Sequence, residues 1–218
     1  DPVPAGVTPS PDFHVADMRR LRAALGQAGG QAGPMLLIGH SMAGLRLHAY
    51  ANLYPEDLAG LVFVDALSPG RLGKKDGRFF WANYGLLLKA CAYGAGAGLA
   101  APVSKYFPNS FRLEGRPRED KRWSYGAASH LAATRDEVVA IDHDAAYFDV
   151  AAVERLPVAI FASTFLNGMT EANAANARAN TGFGSYAFRR NDDHVTILTG
   201  DSGTLICDTV RAMHAHAQ

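Results

Sequence analysis

The sequence has no excess of charge of either sign. It carries 21 lysines and arginines against 21 aspartates and glutamates, and only 19% of its 218 residues are charged. A neutral chain without a stripe of basic residues lacks the electrostatic footprint of a nucleic-acid-binding protein. Because 48% of the residues are hydrophobic, the composition is also not that of a disordered chain. We therefore expect a globular protein that does not bind nucleic acid.

Long apolar runs and cysteines are scarce as well. No apolar run approaches the about 18 residues that cross a bilayer, so we expect a soluble protein without a membrane span, the cytoplasm being the favoured compartment. Cys91 and Cys207 have neither metal-ligand spacing nor the number of partners that a disulfide framework needs. We expect both to be small buried hydrophobic side chains.

What the sequence does contain is an alternation of short apolar runs with helical patterns. The runs show no period of two, which is typical of strands buried on both faces of a parallel sheet. This alternation predicts an α/β fold. The predicted strands lie near 35–38, 61–65, 157–161 and 185–189. Two predicted helix faces consist of Met18, Leu21 and Leu25 near the start of the chain, and of Ile206, Val210 and Met213 at its end.

Residues 70–154 differ from the rest of the chain. Helix-compatible stretches at 79–92 and 124–147 are separated by glycines and prolines, and no run between them predicts a buried strand. We therefore divide the chain into an α/β core, 1–69 and 155–218, and a helical insertion, 70–154.

The sharpest motif is the hexapeptide GHSMAG at 39–44. It lies between a predicted buried strand and a predicted helix over 42–53, the context in which a serine is held on a strained turn with its hydroxyl exposed. Glycines flank such a serine because a side chain would collide where the backbone folds back, and here Ala43 takes the place of the usual second glycine. The turn also directs the N–H of Met42, at the helix start, towards a developing negative charge.

The stretch from Pro34 to Pro69 resembles the fifth strand, nucleophile elbow, third helix and sixth strand of the α/β-hydrolase superfamily. The resemblance implies a nucleophile, Ser41, together with a histidine base, an acid partner and an oxyanion hole of two backbone N–H groups, one of them that of Met42. The superfamily sheet usually has eight strands, and only its C-terminal half is recognised here. We expect an N-terminal segment, cleaved yet associated, absent from this sequence or supplied by a swapped copy, to cover the very apolar strand at 35–38.

A serine hydroxyl needs a base, and eight histidines are available. His194 follows the last predicted strand and precedes the closing helix, where the superfamily places its catalytic histidine, and the chain order Ser-Asp-His also fits. His14 and His48 are expected at partly exposed helix positions, and His214 and His216 at solvated ones. No cluster of histidines and carboxylates in the sequence has a third ligand nearby, so we expect neither a metal nor a cofactor.

Two residues are candidates for the acid partner. Many members of the superfamily carry it after the seventh strand, but the loop 162–169 contains no carboxylate, and Asn167 cannot ionise. Asp65 ends the second predicted strand, where the haloalkane dehalogenases of this superfamily carry their acid. We assign the role to Asp65, which would fix the tautomer of His194, and keep Glu171 in reserve.

The insertion at 70–154 lies where the superfamily inserts a helical cap. It is rich in aromatic residues, and we assign Phe80, Trp81 and Tyr84, together with His40 beside the nucleophile, to substrate binding. Such side chains favour a small apolar ester as the substrate. A serine at the elbow favours acyl transfer to water, whereas dehalogenases and epoxide hydrolases of this fold need an aspartate there.

The sequence therefore predicts a serine hydrolase that cleaves a carboxylic ester, lactone or thioester through an acyl-enzyme on Ser41, with His194 as the base. Two alternatives stay open, because fold and triad do not fix the reaction. One is a binding protein or receptor on the hydrolase fold with little turnover. The other is a different reaction of the same triad, such as that of a hydroxynitrile lyase or an acyltransferase.

Overall fold

The computed structural model describes residues 11–28, 33–69, 75–99, 113–144, 149–163 and 168–217. These residues form two compact units, one within 73–144 and the other from 11–72 and 145–218. The first unit falls inside the predicted insertion, whose role as a cap stays a prediction. The second unit contains the sheet.

The sheet of the second unit has four parallel strands in the spatial order β1-β2-β3-β4. They are β1 Met35–His40, β2 Leu58–Val64, β3 Val158–Ala162 and β4 Gly184–Phe188. The four predicted strands and the predicted α/β class are confirmed. In the register, His40 pairs with Val64, Val64 with Phe161, and Phe161 with Ala187. The carboxyl ends of all four strands therefore meet at one edge of the sheet.

Eight helices lie in the described part of the chain. They are α1 Pro11–Gln27, α2 Ala43–Leu53, α3 Lys75–Gly96, α4 Gly115–Gly126, α5 Ala128–Asp144, α6 Val150–Val153, α7 Glu171–Thr181 and α8 Gly200–His216. Short 3-10 turns occupy Pro55–Asp57 and Thr196–Leu198. None of the helices in these described ranges has the length and apolarity needed to cross a membrane.

The central strands β2 and β3 are buried on both faces. Successive side chains of a strand point to opposite sides. On β2, Leu61 and Phe63 join a cluster with residues of α1, α2, α6 and α7. Val62 and Val64 join the opposite cluster, which contains Ile206 and Met213 of α8. The predicted apolar face of the last helix is thus confirmed, and it covers the second face of the sheet.

The predicted apolar face of α1 is wrong. Leu21 and Leu25 are 61% and 57% exposed, whereas Val15 is buried and Met18 packs partly against the core. The spacing of apolar residues identifies a helix but does not fix which of its sides is buried. In the structure, the side that carries Val15 packs against the core. Strand β1 lies at one edge of the four described strands, and its Ile38 is 54% exposed.

The expected burial of the two cysteines is also wrong. Cys91 on α3 and Cys207 on α8 are free and exposed. Cys207 follows Ile206, and a helix turns by about 100° per residue, so the side chain next to a buried position lies at the border of the buried face or outside it. The polarity of a cysteine side chain is compatible with a buried and with an exposed position, so it does not predict which one the residue occupies.

In the first unit, α3 packs along α5, and α4 also contacts α5. Leu88 of α3 and Val138 of α5 are buried there. The helix-compatible stretch at 79–92 falls on α3. The stretch at 124–147 falls on the end of α4 and on α5, so the structure divides it between two helices, and its last residues, 145–147, lie outside the described part of the chain.

Candidate active site

Ser41 occupies a tight turn between β1 and α2. Its φ angle is +57°, a left-handed conformation that costs an L-amino acid about 1–2 kcal/mol. Three backbone hydrogen bonds hold it there: the Ser41 N–H donates to the carbonyl of Val64 at 3.4 Å, and its own carbonyl accepts from Gly44 at 3.1 Å and from Leu67 at 2.9 Å. The turn is therefore fixed by the neighbouring end of β2.

Glycine is required on both sides of this turn for lack of space. A Cβ at Gly44 would lie 2.3 Å from the carbonyl oxygen of Leu67, and a Cβ at Gly39 would lie 2.8 Å from Cδ1 of Leu47. The close approach on the helix side thus falls at Gly44 rather than at the preceding Ala43, which carries its methyl group in a partly exposed position.

Met42 follows in a right-handed conformation, with φ −58° and ψ −24°, directly before α2. The first N–H groups of a helix have no acceptor within the helix, and they carry the positive end of its dipole. The N–H of Met42 therefore belongs to a group of donors that favours an anion beside Ser41.

Asp65 lies at the equivalent point of the next strand, one residue beyond β2. It is 1% exposed and its φ angle is +40°. Its Oδ1 accepts a hydrogen bond of 2.9 Å from the N–H of Ser163, which follows β3, and its Oδ2 pairs with Nδ1 of His194 at 2.7 Å. Burial by itself raises the pKa of the Asp65 carboxyl, but the hydrogen bonds from His194 and Ser163 outweigh it and hold the pKa below its ordinary value.

His194 is carried by the loop between β4 and the 3-10 turn. Because Asp65 is ionised and accepts only, Nδ1 of His194 carries the proton of their hydrogen bond. In the neutral imidazole, Nε2 is then the unprotonated nitrogen. The His194 side chain is 20% exposed, so it is accessible from solvent while its partner is not.

Two sets of contacts hold this loop in place. The Oδ1 of Asp193 accepts hydrogen bonds of 2.8 Å from the N–H groups of Val195 and Thr196. Behind it, Arg189 donates to the Ser202 hydroxyl at 2.6 Å, and Ser202 in turn donates to Asp192. Ser202 lies on α8 and is buried, so the network fastens the loop to the last helix.

His40, the last residue of β1, contacts His194 twice. Its Nε2 is 2.7 Å from the backbone carbonyl oxygen of His194. Its ring stacks on the His194 ring with 4.3 Å between centroids and 26° between planes. His40 is predicted to bind substrate, and in the structure its ring lies against the histidine predicted to be the base.

The structure brings Ser41, Met42, Asp65 and His194 to the same edge of the sheet. None of the hydrogen bonds among the described residues joins the Ser41 hydroxyl to His194. Glu171, the reserve acid, is the exposed first residue of α7. Asn167 and its neighbours 164–166 lie outside the described residues.

The remaining substrate-binding predictions concern the first unit. Tyr84 lies on α3 and is partly exposed, and burial raises the pKa of its phenol. Phe80 and Trp81 belong to the same helix, but their side chains lie outside the described part of the structure. Their role in binding stays a prediction.

His48 differs from its expected position. It is completely buried in α2, with its ring 5.2 Å from that of Phe63. Neither ring nitrogen has a hydrogen-bond partner among the described residues, and burial lowers the pKa of the imidazole to about 4. The expected partial exposure is wrong, because α2 buries a wide stripe that also contains Leu47, Ala49 and Tyr50.

Sequence reasoning missed two contributors to the site. Ser163 donates its backbone N–H to Asp65, as any residue except proline could, and its hydroxyl also hydrogen-bonds that carboxylate. A single serine after a strand gives no signal of either contact in the sequence. The network of Arg189, Asp192 and Ser202 joins a loop to a helix, and ordinary polar residues at such spacing occur on most surfaces. Within the described residues, no group of three or more His, Cys, Asp or Glu side chains is arranged to hold a metal ion.

Comparison by sequence finds no relative: no protein-family model and no curated protein matches the chain. Comparison by structure finds many. An alpha/beta hydrolase enzyme from a Medee basin deep-sea metagenome library superposes with a TM-score of 0.63, at 12% identity, over 96% of this chain and 74% of its own. The chain has the α/β-hydrolase fold.

Other solved structures agree. A thermophilic esterase from Thermogutta terrifontis matches with a TM-score of 0.59 and 18% identity over 100% of this chain and 75% of its own. A carboxylesterase from Nitrososphaera gargenis matches with a TM-score of 0.57 and 12% identity over 94% and 73%. The α/β-hydrolase resemblance predicted from Pro34–Pro69 is confirmed at the level of the fold, and it falls on β1, the Ser41 turn, α2 and β2.

Proposed function

We propose that the protein is a serine hydrolase that cleaves a carboxylic ester through an acyl-enzyme on Ser41. His194 is the general base, Asp65 orients it, and the N–H of Met42 is one donor of the oxyanion hole. The substrate is a small apolar ester, lactone or thioester.

The observation that carries this proposal is the 2.7 Å hydrogen bond between Asp65 and Nδ1 of His194. It supports a tautomer in which Nε2 accepts a proton. The positive φ of Ser41 supports the same conclusion, since strained non-glycine residues concentrate at functional sites. The low pKa of Asp65 keeps it charged, so that it stabilises an imidazolium.

In the acylation step, the Ser41 Oγ attacks the carbonyl carbon of the ester while its proton passes to Nε2 of His194. Hydrogen bonds of this kind are often long in free enzymes and tighten when substrate binds. The carbonyl oxygen becomes an oxyanion and accepts from Met42. Collapse of the tetrahedral intermediate breaks the bond to the leaving oxygen, which takes the proton from His194 and departs as an alcohol.

Deacylation repeats the sequence with water. His194 takes a proton from water as its oxygen attacks the acyl carbon, and it returns the proton to the Ser41 Oγ as the acyl bond breaks. The products are a carboxylic acid and the free serine. Asp65 keeps its charge throughout and needs no proton.

A fluorophosphonate probe tests the proposal, because it phosphonylates only an activated serine. We expect the protein to be labelled, and labelling to disappear in Ser41→Ala but not in Ser129→Ala, which removes an exposed serine hydroxyl of α5. An unlabelled wild-type protein, or equal labelling of Ser41→Ala, would contradict the assignment. Labelling without turnover on esters would favour a binding protein on this fold.

The substrate class is tested with a panel of esters, lactones and thioesters of matched acyl length. A selective apolar pocket gives activity that changes strongly along a series from acetate to laurate. Flat activity along the series would contradict the apolar-substrate part of the proposal and leave the nucleophile assignment to the labelling experiment.

A further inference from the structure

We propose that His40 is a positioning residue for His194 rather than a substrate contact. Its ring stacks on the imidazole of His194, and its Nε2–H fastens the backbone carbonyl of the same residue. The inference rests on the proposed function, because it assigns a task to His40 in setting the base against the nucleophile.

The two contacts restrain different freedoms of His194. The hydrogen bond to the carbonyl fixes where the loop passes the end of β1, at a point 154 residues away in sequence. The stacked ring limits the tilt of the imidazole plane of His194, which the hydrogen bond from Nδ1–H to Asp65 alone leaves free. Together the three contacts fix the position, the plane and one nitrogen of the base.

His40 is also the residue that precedes Ser41, and its backbone is paired with Val64 at the end of β2. Any rigid displacement of the Ser41 turn therefore moves the His40 ring with it. Because the His194 ring is stacked on the His40 ring, His194 moves together with Ser41. This coupling keeps the distance between Nε2 of His194 and the Ser41 Oγ within the narrow range that proton transfer needs.

A carbonyl oxygen only accepts, so Nε2 of His40 must carry a proton in both the neutral and the charged ring. Position 40 therefore needs a hydrogen-bond donor that reaches the carbonyl of His194 and a planar ring that stacks on the His194 imidazole. Glutamine offers an N–H at a similar reach without a ring, and phenylalanine offers the ring without a donor. These two substitutions separate the two contacts.

The experiment compares kcat and KM of His40→Ala, His40→Gln and His40→Phe with wild type on one ester. We expect His40→Ala to lower kcat by about 10- to 100-fold with KM within about 2-fold, and each of the other variants to recover part of the loss. His214→Ala, which removes an exposed histidine of α8, is the matched control and is expected to behave as wild type. A loss confined to KM, or no loss, would overturn the inference in favour of a substrate contact or no role.

A double-mutant cycle with Asp65→Asn asks whether His40 acts through His194. If it does, His40→Ala costs much less in the Asp65→Asn background, because the base is already misplaced. Full multiplication of the two losses would contradict an action through His194. Thermal melting shows whether each variant is folded. If His40→Ala does not fold, His40→Gln replaces it in the cycle.

A readout without turnover separates this inference from the proposed function. The proton on Nδ1 of His194, shared with Asp65, gives a far-downfield NMR resonance that Asp65→Asn removes. We expect His40→Ala to broaden or shift that resonance and His214→Ala to leave it in place. A wild-type protein that is inactive and is not labelled by the fluorophosphonate would contradict the proposed function. An unchanged resonance in a folded His40→Ala variant would contradict the positioning role of His40.

Discussion

Asp65 and His194 are joined by a 2.7 Å hydrogen bond although 129 residues separate them in the chain. The bond exists because β2, which Asp65 directly follows, lies two strands from β4, which leads into the His194 loop. Parallel strands deliver both residues to the same edge of the sheet. The carboxylate also accepts from the N–H of Ser163, which directly follows the strand between them, β3.

Replacing Asp65 with Asn is expected to lower ester turnover by about 10³- to 10⁴-fold, since the amide no longer selects the tautomer of His194 that accepts a proton on Nε2. Steady-state kinetics of the purified variant measure this. The matched comparison is Glu171→Gln, at the exposed start of α7, which is expected to keep full activity. Intact activity in Asp65→Asn combined with its loss in Glu171→Gln would reverse the assignment of the acid.

Ser41→Gly is expected to be more stable than Ser41→Ala by about 1 kcal/mol, although both lack the nucleophile. The reason is the φ of +57° at Ser41, which glycine adopts without the steric cost that alanine shares with serine. Urea unfolding of the two variants gives the difference in free energy of unfolding. Equal stabilities would indicate that the turn relaxes once the hydroxyl is gone.

His48 is expected to make the protein less stable in acid. Its pKa is about 4 in the folded state and 6.5 when unfolded, so the unfolded chain binds the extra proton as the pH falls. Wild-type stability should therefore decrease from about pH 6.5 down to about pH 4, by up to about 3 kcal/mol from this group.

The variant His48→Leu tests that expectation, because it removes the titrating ring and two unpaired nitrogens. Its advantage over wild type in urea unfolding should be larger at pH 5 than at pH 8. His214→Ala, at an exposed histidine, provides the control. A His48→Leu variant with the same pH dependence as wild type would show that other groups govern acid stability.

Ser202→Ala is expected to destabilise the protein by about 1 kcal/mol, because the buried hydroxyl hydrogen-bonds both Arg189 and Asp192. The direct contact of 3.4 Å between these two charged side chains remains and limits the loss. The loop that carries His194 loosens, so kcat should also fall several-fold. The control is Thr204→Ala, an exposed hydroxyl two residues further along α8 that donates, among the described residues, to the carbonyl of Gly200. Thermal melting and kinetics on both variants would decide, and matching values would contradict a role for the network.

The local parts of this protein could be predicted from the sequence. Three of the four strands are predicted because each is a short apolar run without alternation, the pattern of a strand that is covered on both faces. The fourth rests on the weaker signal of Tyr186, Ala187 and Phe188. The Ser41 turn was identified because glycine, serine and a helix start stand at fixed offsets after such a run. The structure adds the reason for Gly44, which is the carbonyl of Leu67 at a distance that excludes a Cβ.

The rotation of elements and the burial of single side chains could not be predicted. Leu21, Leu25 and Cys207 are exposed, and His48 is buried. Each lies on a helix that the sequence pattern predicts. Which side of the helix faces the sheet depends on packing against residues far away in the chain. For a histidine or cysteine, whose polarity suits either environment, the sequence offers no second criterion.

By itself, the amino-acid sequence determined where the strands, the serine turn and the last helix lie, because hydrophobic period and glycine placement act within about ten residues. Only the tertiary structure decided that Asp65 bonds to His194, that His40 stacks on it, and that Ser163 lends its N–H. These contacts depend on the order and register of four strands. Strand order sets which chain ends become neighbours, and no local pattern contains that information.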